Sequence, residues 1–365
     1  MTRLPTPAHL HEITPDWLTK ALQSKGSSNN ALVTGYSVER IGEGKGFINQ
    51  LARLTIEYDG NFGDLPRSVI AKLPPSDPKL KAMSGKLGDD RREIRFYEEI
   101  ATKSTIQTPY LYYSASDHHT GNAILLLEDM TSARQGDSVA GCSLTEARLA
   151  IRELAKFQSA WWESPDLRAL EWIPVKDVEG NVYQEVYPEA WALLVAKAKD
   201  GMTPELKLVG DRLQHNIVQI KNKLARPPRT IIHGDYRLDN FFLGTTSRSD
   251  SLVVFDWEFC AQGRGTFDVA TFINEAFPPA QRRQEEIALL RLYHRCLTEH
   301  GVENYTFEDC LIDYRISILE IFVFWVVVGG YLDYEGDRAS IYLRNSCQRF
   351  DATISDLNCT EFLSV

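Results

Sequence analysis

The chain has 365 residues, 43% of them hydrophobic, and a formal net charge of −10. This apolar content is ample for a packed core, and the length fits one large or two moderate domains. The charge is uneven, because residues 1–130 carry 15 basic and 16 acidic side chains whereas the rest carries 25 and 34. Nucleic-acid binding needs basic patches, so this balance argues against a nucleic-acid partner.

The cysteines and the apolar segments of the sequence indicate in which cellular compartment the protein is expected. The six cysteines form no C-x-x-C motif and no metal-binding spacing, which predicts reduced thiols. The first ten residues lack the apolar core of a signal peptide, so we expect a cytoplasmic protein. The longest apolar run, Ile321–Gly330, is shorter than the roughly 20 residues that span a bilayer, which predicts a buried helix and no membrane insertion.

Residues 1–130 show two helix patterns and five strand patterns. In the first helix Thr14 caps, Pro15 occupies the first turn and Gly26 ends the helix. Residues Gln50–Tyr58 alternate between apolar and polar side chains, the period of a half-buried strand. The other patterns predict strands at Tyr36–Ile41, Ser68–Leu73, Tyr110–Ala115 and Ala123–Glu128, a helix at Glu93–Lys103 and a polar loop at Lys79–Asp90.

Beyond Met130 the patterns become helical. The sequence S-L-T-E at Ser143–Glu146 is a capping box, which predicts a helix that runs to about Trp162. Further helices are predicted at Glu185–Lys199, Pro204–Leu224, Pro279–His300, Thr306–Val328 and Ala339–Leu357. The sequence contains no internal repeat and no low-complexity tract.

Three glycines and a lysine in the N-terminal part fit phosphate binding. Gly42, Gly44 and Gly46 lie in G-E-G-K-G-F, and such glycines let backbone N–H groups approach a phosphate closely. Lys72 ends the apolar strand V-I-A-K. The alternative interpretation is an ordinary glycine-rich hairpin and a solvated lysine on an edge strand.

Two polar motifs each follow an apolar strand later in the chain. In I-I-H-G-D-Y-R-L-D-N, Asp235 lies five residues before Asn240, and in V-V-F-D-W-E, Asp256 lies sixteen residues after Asn240. Phosphoryl transfer from ATP needs a carboxylate beside the attacking hydroxyl and oxygen ligands that hold Mg²⁺. Asp235 fits the first task, and Asn240 and Asp256 fit the second.

The order and spacing of these motifs resemble those of protein kinases, which carry H-R-D-x-x-x-x-N and D-F-G. The H-G-D and D-W-E forms resemble the aminoglycoside phosphotransferase and choline kinase superfamily, which shares the protein-kinase-like fold. Gly234 replaces the arginine with which regulated protein kinases bind a phosphorylated activation loop, and no A-P-E follows Asp256. The strings K-L-P-P, E-I-R-F-Y and L-E-D-M are most similar to the ecdysteroid kinase-like branch, and the resemblance runs from about Ile41 to Phe272.

The resemblance assigns expected roles to single residues. Lys72 is expected to bind the α- and β-phosphates and to pair with Glu93, although Glu98 and Glu99 lie on the same predicted helix. Glu128 and Met130 bound the segment that resembles the hinge, where backbone groups meet adenine.

Further residues are matched by position or depart from the pattern. Asp268 occupies the acidic position of a family segment, and we expect His233 to be structural. Gln158 stands where relatives often carry histidine, and the glycine loop is not G-x-G-x-x-G.

The resemblance implies an α+β, two-lobed protein-kinase-like fold. Residues 1–130 are expected to form the nucleotide-binding lobe, a five-stranded antiparallel sheet with one main helix, preceded by the N-terminal helix. Residues 131–365 are expected to form a mostly helical lobe with the catalytic loop and the acceptor site.

The expected activity is an ATP- and Mg²⁺-dependent transfer of phosphate to a small-molecule hydroxyl. The family resemblance suggests a sterol- or polyol-like alcohol, and an amino alcohol or aminoglycoside is the alternative, with which the acidic second half is compatible. A nucleotide-binding pseudokinase that acts as a scaffold is the hypothesis from another class. The presence of Lys72, Asp235, Asn240 and Asp256 argues against the scaffold.

Overall fold

The chain forms two compact units, each with its own secondary structure. The computed structural model describes residues 4–24, 31–41, 49–75, 90–117, 119–176, 180–245, 248–332 and 334–363. The first unit comprises Met1–Ser132 and Val254–Phe259, and the second comprises Ala133–Val253 and Cys260–Val365. The sequence-based division at residue 130 assigned Val254–Phe259 to the C-terminal lobe. The segment groups with the first unit because Trp257 stacks on Phe96, with ring centroids 3.8 Å apart.

A five-stranded antiparallel sheet forms the body of the first unit. Its strands are β1 (Val33–Arg40), β2 (Gln50–Tyr58), β3 (Ser68–Leu73), β4 (Leu111–Asp117) and β5 (Asn122–Glu128). They are ordered β1-β2-β3-β5-β4, and each neighbouring pair is antiparallel. The register pairs Lys72 at the end of β3 with Leu125, and Val69 with Glu128.

The alternation in β2 decides which face of this sheet is buried. Ala52, Leu54 and Ile56 are buried, whereas Thr55 and Glu57 between and beside them are exposed. Helix α1 (Pro15–Gln23) begins as predicted, with the Thr14 hydroxyl accepting a hydrogen bond from the backbone N–H of Trp17. The buried residues of α1 belong to the same apolar cluster as β2.

The main helix of this unit changes geometry along its length. Helix α2 (Asp90–Arg95) continues into a wider π-type segment, Phe96–Ile100, and then into a short 3₁₀ turn. The prediction of one regular helix at Glu93–Lys103 therefore has the correct position but not the correct geometry. The wider segment buries Phe96 and Tyr97.

The second unit is mostly helical. Its helices are α3 (Leu144–Trp161), α4 (Pro165–Ala169), α5 (Gly180–Ala198), α6 (Pro204–Leu213), α7 (Ile217–Leu224), α8 (Thr266–Ala276), α9 (Pro279–Glu299), α10 (Phe307–Tyr331) and α11 (Asp337–Asp356). Its short strands are β6 (Arg134–Gln135), β7 (Thr230–Ile232), β8 (Phe241–Thr245), β9 (Arg248–Val254) and β10 (Ala261–Gly263). This architecture confirms the predicted α+β class, with an antiparallel sheet in the N-terminal part and a mostly helical remainder.

Four helices of the second unit depart from the predictions, and the short α4 among them was not predicted. The helix predicted at Pro204–Leu224 is broken into α6 and α7 at Asn216, whose side-chain amide donates to the carbonyl of Arg212. Asparagine competes for backbone partners in this way and favours helix ends. Helix α8 was not predicted, because its residues are buried all round and show no amphipathic period.

Helix α10 contains the long apolar run and is buried along most of its length. Among the described residues, no helix is both long and apolar enough to cross a membrane.

Candidate active site

Three of the predicted site residues, Lys72, Glu93 and Asp256, meet in the first unit. The Nζ of Lys72 lies 2.6 Å from Glu93 Oε2, 2.5 Å from Asp256 Oδ1 and 3.4 Å from Glu258 Oε2. Strand β3 supplies the lysine, α2 supplies Glu93, and the returning segment Val254–Phe259 supplies the other two carboxylates. Residues separated by as many as 186 positions along the chain therefore form one cluster.

Lys72 faces three carboxylates among the described residues. Only 11% of the Lys72 side chain and 2% of the Glu93 side chain are exposed. Burial lowers the pKa of Lys72, but the carboxylates of Asp256, Glu93 and Glu258 together raise it well above its ordinary value. The lysine is therefore charged. The three carboxylates offer oxygens within 4.8 Å of one another, a group that could also hold a metal ion.

Of the three glutamates on the predicted helix, Glu93 is the one that pairs with Lys72. Glu98 accepts a hydrogen bond from the Ser114 hydroxyl at 2.6 Å, and Glu99 forms an exposed ion pair with Arg95. These positions follow from the helix, which turns Glu93 inward and leaves the later glutamates on its outer side.

Asp256 has an unusual backbone conformation. Its φ is +68°, which residues other than glycine rarely adopt and which often marks functional sites. The next residue, Trp257, is fully buried, and its backbone N–H donates to Glu93 Oε1 at 3.3 Å. Glu93 therefore contacts Lys72 with one carboxylate oxygen and the D-W-E segment with the other.

Glu258 is a member of the cluster that the sequence interpretation missed. Glu93, Asp256 and Glu258 each offer a carboxylate oxygen, and these oxygens lie within 4.8 Å of one another. The side-chain amide of Asn49 donates to Glu258 Oε2 at 2.9 Å. Glu258 is the third residue of the D-W-E motif, and the sequence analysis assigned a role only to the first.

Of the remaining predicted nucleotide residues, Glu128 and Met130 are not members of this cluster. Gly42, Gly44 and Gly46 fall outside the described residues. Glu128 lies on β5, three residues after Leu125, which pairs with Lys72 in the sheet. The carboxylate of Glu128 accepts a hydrogen bond from the backbone N–H of Tyr110 at 3.0 Å. Met130 is buried just beyond the end of β5.

In the second unit, Asp235 and Asn240 are in direct contact. The Asn240 amide donates to Asp235 Oδ2 and to the Asp235 carbonyl, both at 2.9 Å. Arg237 donates from Nε to the same carboxylate oxygen at 3.1 Å. The carboxylate of Asp235 is thereby held by two neighbours from its own loop. The sequence analysis assigned no role to Arg237.

A buried carboxylate from α8 anchors this loop. Asp268 accepts from the backbone N–H groups of His233 and Gly234 at 2.8 and 3.0 Å, and from the Gln158 amide at 3.0 Å. Burial raises the pKa of Asp268 to about 7, against the lowering effect of these donors. Gly234 has a φ of +85°, which glycine adopts without strain and which brings its N–H to the carboxylate.

His233 and Gln158 complete the anchor. His233 is fully buried, and its Nδ1 accepts from the backbone N–H of Asp235 at 3.2 Å. Gln158 also receives a hydrogen bond from the Tyr293 hydroxyl at 2.6 Å. The glutamine thus links α3, α8 and α9 to the loop through an amide that does not titrate.

The protein has a protein-kinase-like fold, which solved structures of small-molecule kinases share. A choline kinase from Cryptosporidium parvum Iowa II is 12% identical, with a TM-score of 0.55 over 94% of this chain and 95% of its own. A choline/ethanolamine kinase family protein from Mesorhizobium loti is 15% identical, with a TM-score of 0.53 over 93% and 94% of the two chains. An ethanolamine kinase from Plasmodium vivax is 12% identical, with a TM-score of 0.51 over 90% and 82%. At these identities the likeness shows the fold alone.

Within this class the sequence itself identifies the family. The profile of the ecdysteroid kinase-like family matches residues 43–303, more than half of the chain. The protein therefore belongs to the ecdysteroid kinase-like family, as its motifs indicated. No curated protein matches the sequence.

Proposed function

We propose that the protein is an ATP- and Mg²⁺-dependent phosphotransferase that phosphorylates a hydroxyl group of a small molecule. The observation that carries the proposal is the buried contact of Lys72 with Glu93 and Asp256. Ionised groups packed around a largely buried lysine are costly for stability alone, which favours a functional reason for keeping the cluster.

We assign the cluster at Lys72 to the binding of MgATP, the phosphate donor. Carboxylate oxygens are hard ligands that suit Mg²⁺, and the acidic cluster offers them within a few ångströms of one another. We assign Asp256 as the main metal ligand, with Glu258 as a further oxygen donor in the same cluster. Magnesium supplies charge neutralisation of the phosphates. Lys72 would then exchange its contact with Asp256 for the α- and β-phosphates and keep Glu93 as its partner.

We assign Asp235 the role of binding the hydroxyl group that receives the phosphate. Its carboxylate is fixed by Asn240 and Arg237, so it is oriented before any acceptor binds. In this role Asp235 accepts a hydrogen bond from the hydroxyl and takes its proton as the phosphoryl group is transferred. Asn240 donates to the same carboxylate and to the Asp235 carbonyl, so it orients Asp235 within its loop.

The experiment that tests the proposal is calorimetric titration of MgATP into the wild-type protein and into Asp256→Asn. We expect wild-type binding that depends on Mg²⁺, with a native state stabilised by about 2.7 kcal/mol at a hundredfold excess over Kd. Asp256→Asn should lose the Mg²⁺-dependent part of the affinity. The control is Asp64→Asn, which removes an exposed carboxylate of the same unit. Equal affinity of Asp256→Asn and wild type for MgATP would refute the donor assignment.

A further inference from the structure

We propose that a cleft between helices α3 and α9 of the second unit binds a small molecule that carries one phosphate group and several hydroxyl groups. The cleft has a volume of about 490 Å³, and small-molecule sites typically measure about 300–1,000 Å³. The described residues that line it belong neither to the cluster at Lys72 nor to the loop that carries Asp235. A ligand in this cleft therefore does not depend on the proposed kinase activity.

Three basic side chains line the cleft from its two helices. Arg152 and Lys156 lie one turn apart on α3, and Arg295 lies on α9. Like charges at this spacing on one helix repel each other. Arg295 lies 3.7 Å from Glu299, whereas Arg152 and Lys156 form no ion pair within the part of the chain that the structure describes. Arginine and lysine side chains placed together in this way suit a phosphate group, which the guanidinium binds through two parallel hydrogen bonds.

The fields of the two arginines meet at the floor of the cleft. The Cys296 thiol is buried there, and burial together with the Glu299 carboxylate raises its pKa. Arg295 and Arg152 act on the same thiol and oppose this rise. The guanidinium groups of α9 and α3 are therefore close enough to one group in the cleft to act on one bound anion.

A buried hydrogen bond fixes the spacing of the two walls. Gln158 lies two residues after Lys156 on α3, and Tyr293 lies two residues before Arg295 on α9. The Tyr293 hydroxyl donates to Gln158 Oε1 at 2.6 Å, and both side chains are fully buried. Because the walls are held before a ligand arrives, little ordering entropy is lost on binding.

The other lining residues determine what the phosphate is attached to. The carboxylates of Glu153 and Glu299 would repel a polyanion, but they can accept hydrogen bonds from hydroxyl groups. His300 donates from Nδ1 to the Cys296 carbonyl at 2.7 Å, which leaves Nε2 of the neutral ring as a further acceptor. Leu292 and Cys296 offer an apolar floor for a carbon frame. A sugar phosphate has this combination of groups.

Calorimetric titrations of wild type with glucose 6-phosphate, inorganic phosphate and glucose test the site. We expect glucose 6-phosphate to bind at least about tenfold more tightly than either of the other two, because only it uses both the basic side chains and the hydroxyl acceptors. A dissociation constant of glucose 6-phosphate above about 1 mM would overturn the proposal. Equally tight binding of inorganic phosphate would overturn the assignment to an organic phosphate.

A paired substitution locates the binding in the cleft. Replacing both basic residues of α3, as Arg152→Gln with Lys156→Gln, should weaken the binding of glucose 6-phosphate at least about tenfold. The matched control Arg148→Gln removes an exposed arginine one turn earlier on α3, which does not line the cleft, and should leave the affinity unchanged. Unchanged affinity in the double variant would show that the ligand binds elsewhere.

A variant of opposite sign separates charge from structural damage. Glu299→Gln removes the carboxylate that neighbours Arg295, so it should strengthen the binding of inorganic phosphate by a few fold. General damage to α9 would weaken binding instead. Weaker phosphate binding by Glu299→Gln would therefore contradict the assignment of Arg295 to the anion.

Discussion

Lys72 is the residue on which the charge balance of the first unit depends. Lys72→Met leaves Glu93, Asp256 and Glu258 close together without the lysine that contacts all three. Breaking a buried pair in this way typically costs about 3–5 kcal/mol. We expect a lower free energy of unfolding in urea, and partial recovery on adding Mg²⁺, which replaces the missing positive charge.

The control for this prediction is Lys20→Met, which removes one side of an exposed ion pair in α1 and should cost at most about 1 kcal/mol. If Lys72→Met were as stable as Lys20→Met, the carboxylates would not depend on the lysine for neutralisation.

Asp235 is the residue on which the proposed chemistry depends in the second unit. General-base catalysis contributes about 10²–10⁴-fold, so Asp235→Asn should lower kcat by such a factor. The affinity for MgATP should stay nearly unchanged, because the donor assignment lies in the first unit. Kinetics with an identified acceptor and a parallel nucleotide titration measure both quantities.

The control Asp166→Asn changes an exposed aspartate of the same unit and should leave kcat unaltered. Loss of ATP binding in Asp235→Asn would show that this carboxylate serves the metal and not the acceptor.

At the scale of elements, α8 ties the stability of the second unit to pH through Asp268. The pKa of this carboxyl is about 7 in the folded protein and near 3.9 in an unfolded chain. The folded state therefore binds the proton more tightly, and this group makes the protein more stable as pH falls from 7 towards 4. Between pH 7 and pH 5.5 its contribution is about 2 kcal/mol.

Asp268→Asn removes the titrating group while keeping a side chain of the same shape. Urea unfolding at pH 5.5 and pH 7 should show that the variant lacks this part of the pH dependence of wild type. An identical pH dependence in the two proteins would mean that Asp268 stays ionised throughout, held by its three N–H donors.

The elements also show what the sequence could predict. Strand β2 and helix α1 have local signals, an alternating pattern and a capping threonine. The bounds of β2 and the start of α1 were predicted as observed, whereas Gly26, the predicted end of the helix, lies outside the described residues. Helix α8 has no such signal, because tertiary burial on all sides removes the amphipathic period. Local pattern therefore predicts half-buried elements well and fully buried ones poorly.

In the candidate site, too, residues close together in the sequence were predicted, whereas contacts between distant residues were not. Motif spacing singled out Asp235, Asn240 and Asp256, which lie near each other in the chain. The contacts of Arg237 with Glu275 and of Asn49 with Glu258 join residues 38 and 209 positions apart, as their numbers show. Nothing in a single sequence indicates such pairs.

At the scale of the whole molecule, the chain leaves the first unit at residue 132 and returns to it only for Val254–Phe259. This short return brings Asp256 and Glu258 to Lys72, so the nucleotide assignment needs the folded chain and not the N-terminal sheet alone. We therefore expect the folded chain to transfer phosphate from ATP to an alcohol.

Mass-spectrometric analysis of the products, after incubation with MgATP and a panel of sterol, polyol, amino-alcohol and aminoglycoside acceptors, tests this expectation. We expect wild type to form a phosphomonoester of at least one acceptor mole for mole with ADP, and Asp256→Asn to form neither product above background. ADP and free phosphate without any phosphomonoester across the panel, or equal phosphomonoester formation by Asp256→Asn, would refute the proposed activity.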